Sequence, residues 1–360
     1  MKKNICFLIA KFDNKSGTER VTADIANILA NQYNVTILTL KGTVENGFPV
    51  DKEVTVNSLH NDLYQNKIKK RMKLCLDLMH YLKTHSVDIV INVDITLSLL
   101  SIPLKKMYGF KVISWEHFNY YEHHTLESRF TRFLSAKYAD TLVVLGKNDL
   151  ESYRSHFKKH TKLEYIYNPI ALELEPVSTL ESKNVLAVGR LELQKGFDLL
   201  LQAWQKVERR FPEWALQIVG SGSQEKQLEQ MIKEFSLRNV KMVAYTDEIE
   251  KFYLNSSLFV LSSRFEGFVL VLLEAQAKGL PIVSFDCKEG PAEIVDRGKN
   301  GELVKNGDVN ALADAICKLI GDEKLLKKYG KKAQKDLGRF DKDSIGRKWC
   351  EIIDECLTRE

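Results

Sequence analysis

Short apolar runs alternate with longer amphipathic segments along most of the 360-residue chain. Strands buried on both faces read as continuous apolar runs, which is typical of a parallel sheet covered by helices. In the first half, strands are predicted at 5–9, 35–40, 88–93, 111–115, 141–145 and 163–166, with helices at 18–31, 96–108 and 126–138. This alternation predicts right-handed β-α-β units.

The same alternation starts again after a break. Residues 168–183 contain Pro169 and Pro176 among mixed polar residues, which is typical of an interdomain linker. Strands are then predicted at 184–188, 216–219, 240–243, 258–261 and 282–285, and helices at 194–210, 308–320 and 323–335.

The predicted fold is therefore α/β, with two doubly wound Rossmann-like domains that face a cleft. The first domain is expected to span 1–167 and the second 184–340, with the linker at 168–183. An amphipathic C-terminal segment, 345–360, is expected to cross back and brace the first domain.

Composition supports a globular protein, because 44% of the residues are apolar and 28% are charged. The six cysteines form no C-x-x-C pair, so they are expected to be reduced. No leader peptide and no run of 18 apolar residues is apparent, which predicts a cytoplasmic protein without a spanning helix.

Charge is distributed unevenly along the chain. Residues 1–170 contain 24 Lys/Arg and 17 Asp/Glu, a net of +7, and the remainder carries −2. A basic first half fits phospholipid headgroups, a lipid diphosphate or nucleic acid, and it equally fits a solvated basic face. The segment 67–73, in which Ile68 and Met72 interrupt the basic residues, leaves the same two readings open.

The segment 262–274, with the sequence S-S-R-F-E-G-F-V-L-V-L-L-E, follows an apolar strand and opens a helix. Glu266 is expected just before the helix and Glu274 about two turns into it. Carboxylates accept hydrogen bonds from vicinal hydroxyls of a ribose or hexose, and backbone N–H groups at the helix start suit a phosphate. Because the helix is apolar, we expect both carboxylates to be buried with partners.

Four further segments are candidates for the same site. Arg190 and Lys195 bracket a strand–helix turn, where two cations can neutralise a diphosphate. Gly17, with Thr18 as the expected helix cap, and the pair Gly220 and Gly222 each follow a strand and allow close approach to a ligand.

His117 also follows a strand and could contact a reacting sugar, whereas His123 and His124 fit an exposed segment. Asp341 and Asp343 spell D-x-D, a metal-binding pattern, but their place at the head of the last helix favours capping. No metal site is predicted.

Together these segments resemble the family 4 glycosyltransferases. The resemblance rests on the E-x7-E pair with Glu-Gly-Phe, on V-G-R-x5-G with Lys195, on G-T-E-R, and on E-G-P-A-E-I-V at 289–295 followed by Asn300 and Gly301. It implies the GT-B fold and a retaining transferase that needs no divalent metal or other cofactor.

The resemblance also implies roles for single residues. Glu274 would hold the ribose, Glu266 the transferred hexose, Arg190 and Lys195 the diphosphate, and His117 would lie beside the reacting sugar. Val269, commonly a small residue in relatives, is where we expect sugar preference to be set. The predicted catalytic residues are His117, Arg190, Lys195 and Glu266, and the predicted donor-binding residues are Ser16, Gly17, Gly189, Arg190, Lys195, Gly220, Gly222, Glu266, Gly267, Phe268, Val269, Leu270 and Glu274.

The leading hypothesis is transfer from a UDP-sugar, with retention, to a polysaccharide or polyprenyl-diphosphate-linked acceptor of the cell envelope or capsule. Peripheral contact with an anionic membrane stays open beside the solvated basic face, and nucleic acid is not an expected partner. The alternative is a UDP-sugar epimerase on a similar two-domain fold. A non-catalytic relative is disfavoured because the polar positions are intact, and a nicotinamide dehydrogenase because a G-x-G-x-x-G fingerprint is missing.

Overall fold

A computed structural model of the chain divides into two compact units. Unit 1 comprises Met1–Pro169 and Phe340–Glu360, and unit 2 comprises Ile170–Arg339. The structure describes residues 2–13, 16–42, 47–59, 67–121, 125–158 and 161–359, with the side chains of 67–71 excepted.

Unit 1 contains a parallel sheet of seven strands in the order β3-β2-β1-β4-β5-β6-β7. The central strands are buried on both faces, which explains their continuous apolar sequences. The strands are β1 (Asn4–Ile9), β2 (Asn34–Thr39), β3 (Val54–Ser58), β4 (Ile89–Val93), β5 (Lys111–Trp115), β6 (Thr141–Val144) and β7 (Lys162–Tyr165).

Unit 2 repeats this plan with six parallel strands in the order β10-β9-β8-β11-β12-β13. They are β8 (Asn184–Val188), β9 (Ala215–Val219), β10 (Val240–Val243), β11 (Leu258–Leu261), β12 (Ile282–Asp286) and β13 (Gly301–Lys305). In both sheets the chain reverses its direction of travel beside the first strand, between β1 and β4 and between β8 and β11. Such a reversal is where doubly wound sheets bind ligands.

Amphipathic helices connect the strands. In α6, for example, Leu200, Leu201, Trp204 and Val207 form one buried stripe. The helices are α1 (Gly17–Ala30), α2 (Lys67–Thr84), α3 (Ser98–Tyr108), α4 (Leu126–Tyr138), α5 (Lys147–His156), α6 (Phe197–Arg210), α7 (Glu225–Glu234), α8 (Ile249–Leu254), α9 (Leu270–Ala277), α10 (Pro291–Ile294), α11 (Val309–Ile320), α12 (Glu323–Lys335) and α13 (Lys342–Thr358). Within the described ranges, none of these helices combines the length and apolarity that a bilayer crossing requires.

The terminal helix α13 packs within unit 1, as the sequence predicts. The Trp349 ring meets the Trp115 ring edge-on at 4.8 Å between centroids. The Tyr33 hydroxyl donates to Asp354 Oδ1 at 2.7 Å. The predicted fold class, two doubly wound α/β units with a returning C-terminal helix, is confirmed.

The predicted strands are all present, but two further strands, β3 and β13, were not predicted. Each lies at an edge of its sheet. Edge strands are covered by fewer neighbours, so β3 alternates polar residues and has one fully buried position, and β13 begins with Gly-Glu. Their sequences therefore lack the continuous apolar run that marks the central strands.

Candidate functional site

Two polar loops of unit 2 meet at the reversal between β8 and β11. These strands pair in parallel, with Val185 opposite Leu258 and Leu186 opposite Phe259. Their carboxyl ends therefore open into neighbouring loops, 189–196 and 262–269. Both loops were singled out from the sequence, and the sheet order explains why they belong together.

The two loops are packed backbone against backbone. Gly196 has a φ of +62°, and a Cβ there would lie 2.1 Å from the carbonyl oxygen of Ser262, so only glycine fits. The Ser262 hydroxyl donates to the Lys195 carbonyl at 2.9 Å. Arg264 donates through both terminal nitrogens to the Asp198 carboxylate, at 2.8 and 2.7 Å. This bidentate pair closes the loops at their outer side.

Lys195 and Glu266 form an ion pair at the centre of the two loops. Lys195 Nζ lies 2.6 Å from Glu266 Oε1, and the side chains are only 17% and 7% exposed. The Ser263 hydroxyl donates to the same Oε1 at 2.6 Å. An ammonium group has three donors, so the bond to Glu266 leaves two that can reach a ligand.

Glu274 is buried in α9 and is held by a tyrosine. The Tyr253 hydroxyl, on α8, donates to Glu274 Oε2 at 2.8 Å. Because α9 begins at Leu270, Glu274 lies about one turn into the helix, and the expected two turns are wrong. The extended backbone at Val269 delays the helix start by three residues relative to Gly267.

The beginning of α9 provides backbone donors. Its first N–H groups have no intrahelical acceptors, as at every helix start, and Val269 supplies no side-chain cap. Phe268 and Leu270 are half-buried, and Val269 is buried. At Gly290, where φ is +93°, a Cβ would lie 2.0 Å from the Gly267 carbonyl oxygen and 3.1 Å from Val269 Cγ2, so the segment 289–295 closes over this turn.

The glycines after β8 and β9 are also neighbours. The Gly189 N–H donates to Val219 O at 3.0 Å, and the Leu191 N–H donates to Ser221 O at 2.9 Å, so Gly220 lies beside Gly189 and Gly222 beside Leu191. Arg190 is exposed at this junction, whereas Lys195 folds back with its side-chain carbons 3.3–3.4 Å from a Cβ position at Gly189.

In unit 1, α1 begins at Gly17 and its cap is Ser16. The Ser16 side chain accepts from the Glu19 N–H, at 3.5 Å, and its hydroxyl donates to Glu19 Oε1 at 3.2 Å. The expectation that Thr18 caps the helix is wrong, because the helix starts one residue earlier and Thr18 already lies within it. Lys15, His123 and His124 lie outside the described residues.

His117 follows β5, as predicted, and is nearly buried. Its ring lies against the Trp115 ring at 4.2 Å between centroids. Burial lowers its pKa to about 3, so the imidazole is neutral at physiological pH. Its Nε2 is buried and makes no hydrogen bond to any residue in the described part of the chain.

The neighbouring Glu116 is buried and was not predicted as a functional residue. The Tyr153 hydroxyl donates to its Oε2 at 2.9 Å, the Phe118 N–H donates to Oε1 at 3.2 Å, and Arg132 Nε lies 3.6 Å from Oε2. Burial, followed by the charge of Asp94, raises the Glu116 pKa to about 8. This network fixes the loop that presents His117.

The sequence also missed Tyr253 and Ser263, which donate to Glu274 and Glu266, and Asp198, which pairs with Arg264. Ser263 lies within the segment 262–274, but Tyr253 and Asp198 belong to no recognisable local pattern, and Tyr253 lies 21 residues from its partner. At Asp341, the structure shows the cap that the sequence favoured: Oδ2 accepts from the Ser344 N–H at 3.0 Å.

Residues 175–336 match the family model described as glycosyl transferases group 1. The chain is 30% identical to the amylovoran biosynthesis glycosyltransferase AmsD of Erwinia amylovora, over 97% of this chain and 99% of that protein. It is 28% identical, over 98% of each, to an α-1,4-N-acetyl-D-galactosaminyltransferase of Campylobacter jejuni that is named for a PP-undecaprenol-linked acceptor.

Solved structures share the fold. The crystal structure of HepE from Anabaena in complex with UDP-glucose superposes with a TM-score of 0.80 at 19% identity, covering 98% of this chain and 99% of that one. At this identity the likeness shows the fold alone.

The buried pair Glu116 and His117 predicts a specific dependence of stability on pH. The raised pKa of Glu116 means that its contribution is full below its ordinary pKa and is lost as the pH rises to about 8. The lowered pKa of His117 means that its contribution is full above its ordinary value of 6.5 and is lost as the pH falls towards 3. Between pH 6.5 and 8, only the Glu116 contribution changes.

We therefore expect Glu116→Gln to flatten the decline in the free energy of unfolding over that window, by about 1–2 kcal/mol. Urea unfolding followed by tryptophan fluorescence at several pH values measures this. Glu151→Gln, which neutralises an exposed carboxylate of the same unit, should keep the wild-type slope. An unaltered slope in Glu116→Gln would contradict the assignment.

Proposed function

The chain belongs to the group 1 glycosyl transferases, of the family 4 type with the GT-B fold, and from that premise we propose a donor, an acceptor and a stereochemical course. The donor is a UDP-sugar that carries a hexosyl or N-acetylhexosaminyl unit. The acceptor is a polysaccharide or a polyprenyl-diphosphate-linked oligosaccharide. Transfer proceeds with retention and forms an α-linkage.

The observation that carries the proposal is the Lys195–Glu266 pair at the reversal of the unit 2 sheet. A nucleotide sugar has a diphosphate that needs cations and hydroxyl groups that need acceptors. Lys195 offers its remaining donors to the diphosphate, and Glu266 contacts the transferred sugar. Glu274, whose Oε2 accepts from the Tyr253 hydroxyl, holds the ribose hydroxyls.

The remaining predicted residues have supporting roles in the proposal. Arg190, at the exposed side of the turn, joins Lys195 at the diphosphate. Backbone N–H groups of Gly267 to Leu270 and of the Ser16–Gly17 turn provide further donors, and Gly189, Gly220 and Gly222 allow the nucleotide to approach the backbone. Phe268 and Val269 line the sugar site, and neutral His117 exchanges a hydrogen bond with a hydroxyl of the reacting sugar.

The chemistry follows from these charges. The leaving diphosphate is stabilised by Arg190 and Lys195, and it takes the acceptor proton as the acceptor oxygen attacks on the same face of the sugar. No divalent metal or other cofactor is required in this scheme, because the two cations meet the charge of the leaving group.

The acceptor and the cellular site are proposed from chemistry and from relatives. AmsD is named for amylovoran biosynthesis, and the Campylobacter jejuni relative for a PP-undecaprenol acceptor. We infer a cytoplasmic enzyme of cell-envelope or capsular polysaccharide synthesis that contacts the inner face of the membrane. The epimerase alternative finds no support among the relatives and solved structures described above.

A donor screen tests the proposal directly. The purified chain is incubated with UDP- and GDP-sugars and a synthetic polyprenyl-diphosphate-linked glycan, and nucleotide release and the product linkage are measured. We expect release of UDP that depends on the acceptor, that gives an α-linked product, and that persists in EDTA. Release of no nucleotide, with no binding of any nucleotide sugar, would refute the donor. Loss of activity in EDTA with recovery on addition of Mn²⁺ would refute metal independence.

The Tyr253–Glu274 contact predicts a selective effect on donor binding. Glu274→Ala removes the ribose acceptor and should raise the donor KM by about tenfold or more, with a smaller change in kcat. Tyr253→Phe deletes only the hydroxyl that positions Glu274 and should raise KM in the same direction, by a few-fold. Tyr329→Phe is the matched control, because it deletes a similar bond, from the Tyr329 hydroxyl to Glu302 at 3.0 Å in the same unit. Equal KM effects in the two tyrosine variants would argue against the ribose role.

Lys195 and Glu266 are distinguished by their effects on UDP, which lacks the sugar. Lys195→Ala should weaken UDP binding and lower kcat by about 100-fold, since a preorganised charge partner of the diphosphate is lost. Glu266→Gln should lower transfer but leave UDP affinity at or above the wild-type value. Titration calorimetry with UDP measures this, with Lys251→Ala, an exposed lysine of the same unit, as control. Weaker UDP binding in Glu266→Gln than in Lys195→Ala would reverse the assigned roles.

A further inference from the structure

A groove lined by lysines lies on unit 2, away from the strand ends described above. Its volume is about 700 Å³, and its lining consists of Gly298 and seven lysines. We name these lysines the lysine face: Lys299, Lys324, Lys327, Lys328, Lys331, Lys332 and Lys335. Six of them belong to α12, at spacings of three and four residues that place them on one side of the helix.

The charge of α12 is unusual for this part of the chain. The helix contains six lysines and one glutamate, a net of +5, which equals the formal net charge of the whole protein. Unit 2 nevertheless lies in the half of the sequence that carries a negative net charge. The positive charge is thus concentrated on one helix rather than spread over the surface. The net charge of each half of the sequence does not reveal this concentration.

The fold holds this helix firmly while leaving its lysines in solvent. Leu326, Tyr329 and Ala333, on the opposite side, are buried at 2%, 3% and 0% exposure. The Tyr329 hydroxyl donates to Glu302 Oε1, on β13, at 3.0 Å. The lysine face therefore keeps a fixed direction relative to the unit 2 sheet.

Acidic neighbours neutralise only part of the lysine face. Lys327 pairs with Glu323 and Lys332 with Asp336, in both cases as exposed or half-exposed i,i+4 pairs, which are weak in water. Lys324, Lys328, Lys331 and Lys335 are exposed and form no salt bridge with any residue that the structure describes. Four adjacent ammonium groups on one helix repel one another, and an anionic partner removes that cost.

We propose that the lysine face docks unit 2 on an anionic lipid bilayer. Clusters of four to eight basic residues on an amphipathic helix are attracted to anionic headgroups. The attraction is additive over many phosphates and needs no defined geometry. It therefore suits lysine side chains, which are flexible and carry a point charge. The contact would be electrostatic only, because the lysine face includes no exposed apolar side chain to enter the hydrocarbon.

The composition of the groove favours a bilayer over a soluble anionic glycan. Directional recognition of a single phosphate favours the bidentate fork of arginine, whereas lysine acts as a point charge without a preferred direction. The groove is lined by lysine and glycine alone. This inference rests on the membrane contact in the proposed function and names its surface, but it is independent of the donor and the transfer reaction, so vesicle binding and sugar transfer can succeed or fail separately.

Vesicle sedimentation of the full chain tests the inference. Vesicles of phosphatidylcholine with about 30 mol% phosphatidylglycerol are compared with vesicles of phosphatidylcholine alone. The lysine-face variant carries Lys324→Gln, Lys328→Gln, Lys331→Gln and Lys335→Gln. Its matched control, in the same unit and with the same charge change, carries Lys183→Gln, Lys226→Gln, Lys233→Gln and Lys241→Gln. A third variant neutralises Lys67, Lys69, Lys70 and Lys73 in the first half.

We expect the wild type to bind the anionic vesicles only, and less at higher salt. The lysine-face variant should lose about tenfold or more in partition coefficient, and the matched control should stay within a few-fold of the wild type. All the substituted unit 2 lysines are exposed, so circular dichroism should show unchanged folding.

Three results would overturn the inference: wild-type binding in the lysine-face variant, equal losses in that variant and its matched control, or a loss confined to the first-half variant. Binding of a soluble polyphosphate without binding of vesicles would also overturn it.

Discussion

The pairing of β8 with β11 is the contact on which the candidate site depends. These strands are 70 residues apart in the chain, yet their parallel alignment opens both loops at one place. Gly196 then allows the loop backbones to touch, and Lys195 reaches Glu266. Without this reversal, another strand of unit 2 would lie between β8 and β11 and would separate their loops. Lys195 would then not reach Glu266.

Burial explains why the site is complete before any ligand arrives. A carboxylate out of water is costly unless it is hydrogen-bonded, so Glu266 needs Lys195 and Ser263, and Glu274 needs Tyr253. The same contacts that stabilise the folded unit therefore fix the direction of both carboxylates, which is the preorganisation that a binding site requires.

Strands and loops that recur along the chain can be predicted from the sequence, whereas contacts between residues far apart in the sequence cannot. Continuous apolar runs identify the central strands, and glycine with polar residues after a strand identifies the loops. By contrast, the hydrogen bond from Tyr253 to Glu274 joins α8 to α9, and the Tyr153 hydroxyl that donates to Glu116 belongs to a residue 37 positions away in the chain. Neither contact leaves a local pattern, because any buried tyrosine would look the same in sequence. Two of the four edge strands, β3 and β13, were missed because their sequences include polar residues and lack a continuous apolar run.

Buried carboxylates have different surroundings in the two units. In unit 2, Lys195 Nζ lies 2.6 Å from Glu266 Oε1. In unit 1, burial raises the Glu116 pKa to about 8 and lowers the His117 pKa to about 3. At neutral pH both of these adjacent groups therefore favour their uncharged forms. A neutral imidazole can donate or accept one hydrogen bond but cannot act as a strong acid, so the polar groups after β5 suit the hydroxyls of an uncharged sugar better than its anionic leaving group.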